Sequence, residues 1–137
     1  MDLIKQLKGE HIKILHLFEE CSDYAEGKVP NGSNLLSSIR ELMDILSEHL
    51  KLEDLLLYPK FDNSKDEECN KLGQKFSKEM KEISVKTFSF LKKNSTKKVN
   101  YLIENDVFKK EFKEIIQLVG KRVKIEEKIL YPAFGRC

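Results

Sequence analysis

The sequence predicts an all-α protein, folded as an up-down-up-down antiparallel four-helix bundle. Two observations carry the prediction. Four segments place apolar residues at alternating three- and four-residue spacings, and short polar breaks separate them. The composition agrees, with 35% charged residues of mixed sign and only 6 Gly and 3 Pro in 137 residues. That balance reads as the solvated faces of long helices rather than as disorder.

The first helix is predicted over residues 2–26, where Leu7, His11, Ile14 and Phe18 share one stripe. GKVPNGS, Gly27 to Ser33, breaks it. The second helix, 34–58, aligns Ile39, Leu42, Leu46, His49, Glu53 and Leu56. PKFDNS, Pro59 to Ser64, ends it, and Ser64 with Glu67 has the spacing of a capping box for the next helix. The third helix, 65–92, carries Leu72, Phe76, Met80, Ile83, Thr87 and Phe90, and KNSTKKVN, Lys93 to Asn100, forms the last break. The fourth, 103–131, carries Phe108, Phe112, Ile115, Val119, Arg122, Glu126 and Ile129. Helices of about 25 residues are roughly 37 Å long, and short connections make sequential helices antiparallel. One domain spanning 1–137 is expected, large enough to bury a core.

Several functions are excluded or unsupported. A net charge of +2, from 25 basic and 23 acidic residues, lacks the basic excess of a dedicated nucleic-acid binder. No stretch approaches the roughly 20 apolar residues of a membrane helix, and the charged N-terminal segment has no signal-peptide core. Cys21, Cys69 and Cys137 are odd in number, distant and without a CxxC pair. They are expected as two half-buried thiols and a tail residue in a reducing cytoplasm. No phosphate loop, GxSxG, HExxH or EF-hand pattern occurs, so no general base or substrate pocket can be assigned.

The informative residues are polar ones on the apolar seam: His11, His49, Glu53, Arg122 and Glu126. Burying such groups is costly unless they are paired or bound. Helical rise puts His11 about 12 Å into the first helix and His49 about 14 Å from the end of the second, which suits one shared layer. His49 and Glu53, in HLKLE, are one turn apart on one face, and imidazole with carboxylate suits iron, zinc or manganese. An internal repeat sharpens this. HLKLEDLLLYPKF (His49 to Phe61) aligns without gaps on RVKIEEKILYPAF (Arg122 to Phe134), matching Glu53 to Glu126, Tyr58 to Tyr131 and Pro59 to Pro132. EHIKI (Glu10 to Ile14) aligns on EMKEI (Glu79 to Ile83), pairing His11 with Met80. Repeated halves around one polar layer describe a site on a pseudo-twofold axis.

These residues resemble the hemerythrin-like, HHE cation-binding family. Its pattern is a His on the first helix and HxxxE on the second, then a His on the third and HxxxE on the fourth. The resemblance spans nearly the whole chain. It implies a four-helix bundle holding two non-haem irons bridged by carboxylates, in proteins that carry dioxygen, sense oxygen or redox state, or handle iron and nitric oxide. His11 and His49 resemble ligands of the first half and Glu53 a bridging carboxylate. In the second half only Glu126 is retained, because Met80 and Arg122 stand at the two histidine positions.

The residues admit three readings. In the first, one non-haem metal, iron on the family's precedent, binds His11, His49, Glu53 and Glu126 and presents open positions to dioxygen, nitric oxide or peroxide. Arg122, a permanent cation, then replaces the charge of the missing metal. In the second, the bundle binds haem through His11, His49 or Met80, with Arg122 on a propionate. In the third, Arg122, Glu53 and Glu126 form a metal-free buried network in an interaction module. His16 is expected at the surface, Tyr58 and Tyr131 at the bundle end or donating to a carboxylate, and Lys92 to Lys98 in a solvated loop. Phe76, Phe88, Phe90, Phe108 and Phe112 are expected in the core, with any exposed remainder available to a homodimer face; monomer and homodimer both stay open.

Overall fold

A computed structural model describes residues 2–28 and 34–137. The described chain is all-helical, with no strand, and is consistent with a helical bundle. Helix α1 spans Leu3–Ala25 and α2 spans Asn34–Leu52. After a wider turn at Glu53–Leu57 comes α3, Tyr58–Asp62. Helix α4 spans Glu67–Ser95, α5 Val99–Glu104 and α6 Asp106–Ile125. A second wide turn, Glu126–Leu130, leads to α7, Tyr131–Phe134. Helix α1 packs on α2 and α6, and α4 packs on α2, α3 and α6. No helix among the described residues is long and apolar enough to cross a membrane.

Side-chain caps set the helix starts. Asp2 accepts from the Lys5 amide, and Asn105 accepts from the Phe108 amide. Asp66 accepts from the Glu68 amide at 2.9 Å, so the expected Ser64–Glu67 box is replaced by an aspartate cap. Ser64 instead accepts from the Asp66 amide, and the Asn70 side chain donates to the carbonyls of Phe61, Asp62 and Ser64. Acidic Glu67 and Glu68 then lie in the first turn, where the helix dipole favours them.

The breaks differ from expectation. The first lies mostly at 29–33, outside the described residues. At the second, Pro59 does not end the helix, which continues to Asp62. The third shrinks to residues 96–98 because α5 follows it, anchored by buried Leu102.

Pro59 and Pro132 are accommodated by the same device. Proline has no amide hydrogen, and its ring strikes the carbonyl four residues back. Immediately before Pro59 the Tyr58 amide bonds to the Glu53 carbonyl, and before Pro132 the Tyr131 amide bonds to the Glu126 carbonyl. Each is a five-residue π turn that widens the helix ahead of the ring. The extra residue rotates the helix beyond it. Leu57 and Leu130 are therefore fully buried, while Leu56 and Ile129, expected on the seam, are 41% and 46% exposed.

The apolar core falls into two clusters. One gathers Ile14, Phe18, Leu42, Leu46, Phe90, Phe112 and Val119, with Phe88 against it. The other gathers Leu3, Leu7, Leu57, Tyr58, Phe61, Phe76, Leu130 and Tyr131. Gly73 lets α4 pass close to α3, because a β-carbon there would lie 2.5 Å from that of Phe61. Along α1 the order is second cluster, His11, first cluster; along α2 the first cluster precedes His49, and along α6 all of it but Val123 precedes Arg122. The polar residues thus form a layer between two apolar blocks.

The cysteine expectation is overturned. Cys69, at the start of α4, and the C-terminal Cys137 form a disulfide, and only Cys21 is free. Helix packing brings together residues 68 positions apart, which spacing could not reveal. The cysteines therefore no longer point to a reducing compartment. Burial, reinforced by Glu20 and Glu41, pushes the Cys21 thiol up to about 12, so it acts as an apolar core residue.

Candidate metal centre

Four buried side chains converge in the polar layer. His11 comes from α1, His49 from the last turn of α2, and Glu53 and Glu126 from the first positions of the two π turns. One donor atom from each lies within 4.8 Å of all the others. The His11 and His49 rings are 4.7 Å apart between centroids. Donors around an ion at about 2.1 Å lie some 3–4 Å apart, so side-chain shifts of about 1 Å close the set.

The outer nitrogens of both imidazoles are held by carboxylates. His49 Nδ1 lies 2.7 Å from Glu10, and His11 Nδ1 lies 2.7 Å from Glu127. A proton shared there leaves the inner Nε2 lone pair directed at the layer, the arrangement that orients metal-binding histidines. His11 Nε2 faces Glu126 Oε1 at 3.2 Å, and His49 Nε2 faces Glu53 Oε1 at 3.6 Å. Glu53 Oε1 is fully buried and has no hydrogen-bond partner among the described residues. Its other oxygen accepts from the Tyr131 hydroxyl at 2.8 Å. Lone pairs facing each other in a dry layer need a proton or a cation between them.

The electrostatics reflect that need. Burial, then the neighbouring Glu126 carboxylate, raises the pKa of Glu53 well above the usual carboxylate range. Burial is also the largest influence on His11 and disfavours its charge, but hydrogen bonds to Glu126 and Glu127 outweigh it, so its pKa is raised. For His49, burial and the nearby His11 win over Glu10, and its pKa is lowered. Tyr131 and Tyr58 are both pushed up, by burial first and Glu53 second, and so keep their protons.

Arg122 completes the layer without joining the donor set. Its Nε donates to Glu126 at 3.3 Å, one terminal nitrogen to Glu79 at 3.0 Å, and the other to the Phe76 carbonyl at 2.6 Å. The guanidinium also stacks on the Phe76 ring, 4.5 Å from its centroid. Met80 is half-buried and lines, with His11, His49, Glu53, Arg122 and Glu126, a cavity of about 30 Å³. His16 is exposed and takes no part.

Sequence reasoning misses the outer carboxylates. Glu10 serves His49 rather than its neighbour His11, and Glu127 serves His11 rather than its neighbour Glu126. A signal is available in the match of Glu10 to Glu79 in the repeat, since Glu79 holds Arg122 as Glu10 holds His49. With this geometry in hand, the family is shown directly: residues 2–134 match the model of the hemerythrin HHE cation-binding domain. The chain belongs to that family. No curated protein and no solved structure matches it.

Proposed function

From that membership and the converging donors, we propose that this protein binds one non-haem metal ion, iron on the family's precedent, through His11, His49, Glu53 and Glu126. The scaffold in this reading is an up-down-up-down four-helix bundle. The alternating order of core clusters along α1, α2 and α6 supports that topology. The observation that carries the metal reading is the fully buried, unpartnered Glu53 oxygen facing the inner nitrogen of His49. Two neutral nitrogens and two carboxylate oxygens suit a divalent transition metal.

When bound, such an ion supplies redox or Lewis-acid chemistry toward a small ligand such as dioxygen or nitric oxide. The chain's own groups define the setting. Glu10 and Glu127 fix the imidazole tautomers, and Tyr131 donates to Glu53 and holds that carboxylate in place. Met80, Ile83, Thr87, Phe88 and Val119 wall the adjoining space and limit it to an ion and a small molecule. A haem needs a pocket roughly ten or more times larger, of several hundred Å³. The cavity of about 30 Å³ therefore favours the ion over His11–Met80 or His11–His49 haem ligation.

Elemental analysis with an absorption spectrum, on protein purified without chelator, tests the reading. One iron per chain and no Soret band is expected. His49→Ala should lose the metal while His16→Ala keeps it. Equal retention in the two variants would reject the site, and a stoichiometric Soret band would favour haem instead. No metal and no haem after reconstitution would leave Arg122 and the two glutamates as a structural network.

A further inference from the structure

The repeat allows one half of the layer to be read against the other. It maps His49 on Arg122, Glu53 on Glu126 and Glu10 on Glu79. The contacts obey the mapping. His49 Nδ1 meets Glu10 at 2.7 Å, and an Arg122 terminal nitrogen meets Glu79 at 3.0 Å. His49 Nε2 faces Glu53 at 3.6 Å, and Arg122 Nε faces Glu126 at 3.3 Å. One guanidinium thus spans the path that an imidazole and a cation together would fill in the copied half.

We infer that Arg122 is a built-in cation at the position of a second metal, and that it is Arg122, not merely the loss of the Met80 nitrogen, that limits the centre to one ion. This inference rests on the proposed function. Three observations carry it. Glu126 is divided: Oε1 faces His11 on the open side, while Oε2 is held by Arg122 on the other. The guanidinium is 4% exposed and anchored on three acceptors and a ring, so it cannot swing aside. It also cannot lose its charge. A divalent ion beside it would meet a fixed positive charge in a poorly screened interior. The same anchoring fixes the Glu126 carboxylate for the first ion, so Arg122 positions a ligand while excluding a second metal.

The test is the equilibrium stoichiometry of Co(II), and of Fe(II) without oxygen, on three full-length chains. The native protein should saturate at one ion, as should Met80→His, which supplies a nitrogen but keeps the guanidinium. Met80→His/Arg122→His should saturate at two, with its second site at least about a hundredfold tighter than any second binding to Met80→His. Circular dichroism reports whether each chain is folded. Two ions on Met80→His would overturn the inference while leaving the first site intact, and so would a folded double variant that stops at one. A native chain that binds none would overturn the proposed function and the inference with it. If the double variant does not fold, Met80→His decides: one ion, with a second equivalent gained in Met80→His/Arg122→Gln, supports the inference, and no gain in a folded Met80→His/Arg122→Gln rejects it.

Discussion

The two halves of the polar layer are copies that have reached opposite electrical solutions. In the His11–His49 half, two imidazoles point inward at buried carboxylate oxygens, one of which, on Glu53, has no hydrogen-bond partner among the described residues. In the Met80–Arg122 half, every facing acceptor is already met by a guanidinium. The scaffold is the same in both. Each has a π turn opening on a glutamate, a proline one residue beyond the turn's closing tyrosine, and a carboxylate on the preceding repeat helix that holds the residue at 49 or 122. The comparison teaches that backbone architecture fixes where charge must be balanced, and that in the second half a side chain already balances it.

The largest effect should come from breaking the closed half. Arg122→Met in the metal-free protein removes one member of a buried network and leaves Glu126 without its cation. A loss of about 3–5 kcal/mol is expected, measured by urea unfolding. Glu79→Gln touches the same guanidinium from a half-exposed side chain and should cost less than about 1 kcal/mol. Equal losses in the two variants would refute the view that burial makes Arg122 matter.

The next effect separates the repeats themselves. Only the second is closed on itself, because Cys69 begins it and Cys137 follows it. Cross-linking residues 68 apart constrains the unfolded chain by about 4 kcal/mol. Reduction, or Cys137→Ser, should lower stability by roughly 2–4 kcal/mol, with amide exchange around Tyr131 rising before that around Tyr58. Uniform acceleration in both repeats would show that the clasp acts on the whole molecule instead.

A third effect depends on pH. His11 and Glu53 hold protons more tightly than usual in the metal-free layer, and a metal must displace them. Apparent affinity should therefore rise with pH near neutrality, by about tenfold per unit for each proton displaced. His49, whose pKa is lowered, is already neutral there and adds no slope. Calorimetry in two buffers of different ionisation enthalpy counts the protons released. No release would mean that the open half is not proton-filled.

Much of this is legible in the sequence, for a physical reason. Charged residues at seam spacing stand out, so His11, His49, Glu53, Arg122 and Glu126 announce a buried layer, and the repeat announces its pseudo-symmetry. The π turns are not legible, because Leu56 and Leu57, like Ile129 and Leu130, are equally apolar neighbours and pattern cannot say which turns inward. Glu10 and Glu127 escape notice because a carboxylate at a helix edge looks like any solvated one. The Cys69–Cys137 link depends on the meeting of two chain segments that no local pattern records.

The smallest effect gives the sharpest contrast, because it compares two residues that the repeat makes equivalent. Tyr131 donates to buried Glu53 at 2.8 Å, whereas the Tyr58 hydroxyl is buried near the Arg122 guanidinium with no partner at hydrogen-bond geometry among the described residues. Removing a hydroxyl that satisfies a buried carboxylate leaves the acceptor unpaired, so Tyr131→Phe should cost about 1–3 kcal/mol. Removing an unpaired hydroxyl relieves a desolvation cost, so Tyr58→Phe should be neutral or stabilising by up to about 1 kcal/mol. Chemical denaturation of both variants checks the sign. Because Arg122 already compensates Glu126, the carboxylate that the repeat assigns to Tyr58 has its cation, and the Tyr58 hydroxyl is surplus where that of Tyr131 is needed. A destabilised Tyr58→Phe would show that the Tyr58 hydroxyl is used as that of Tyr131 is, and that the two halves differ less than their charges suggest.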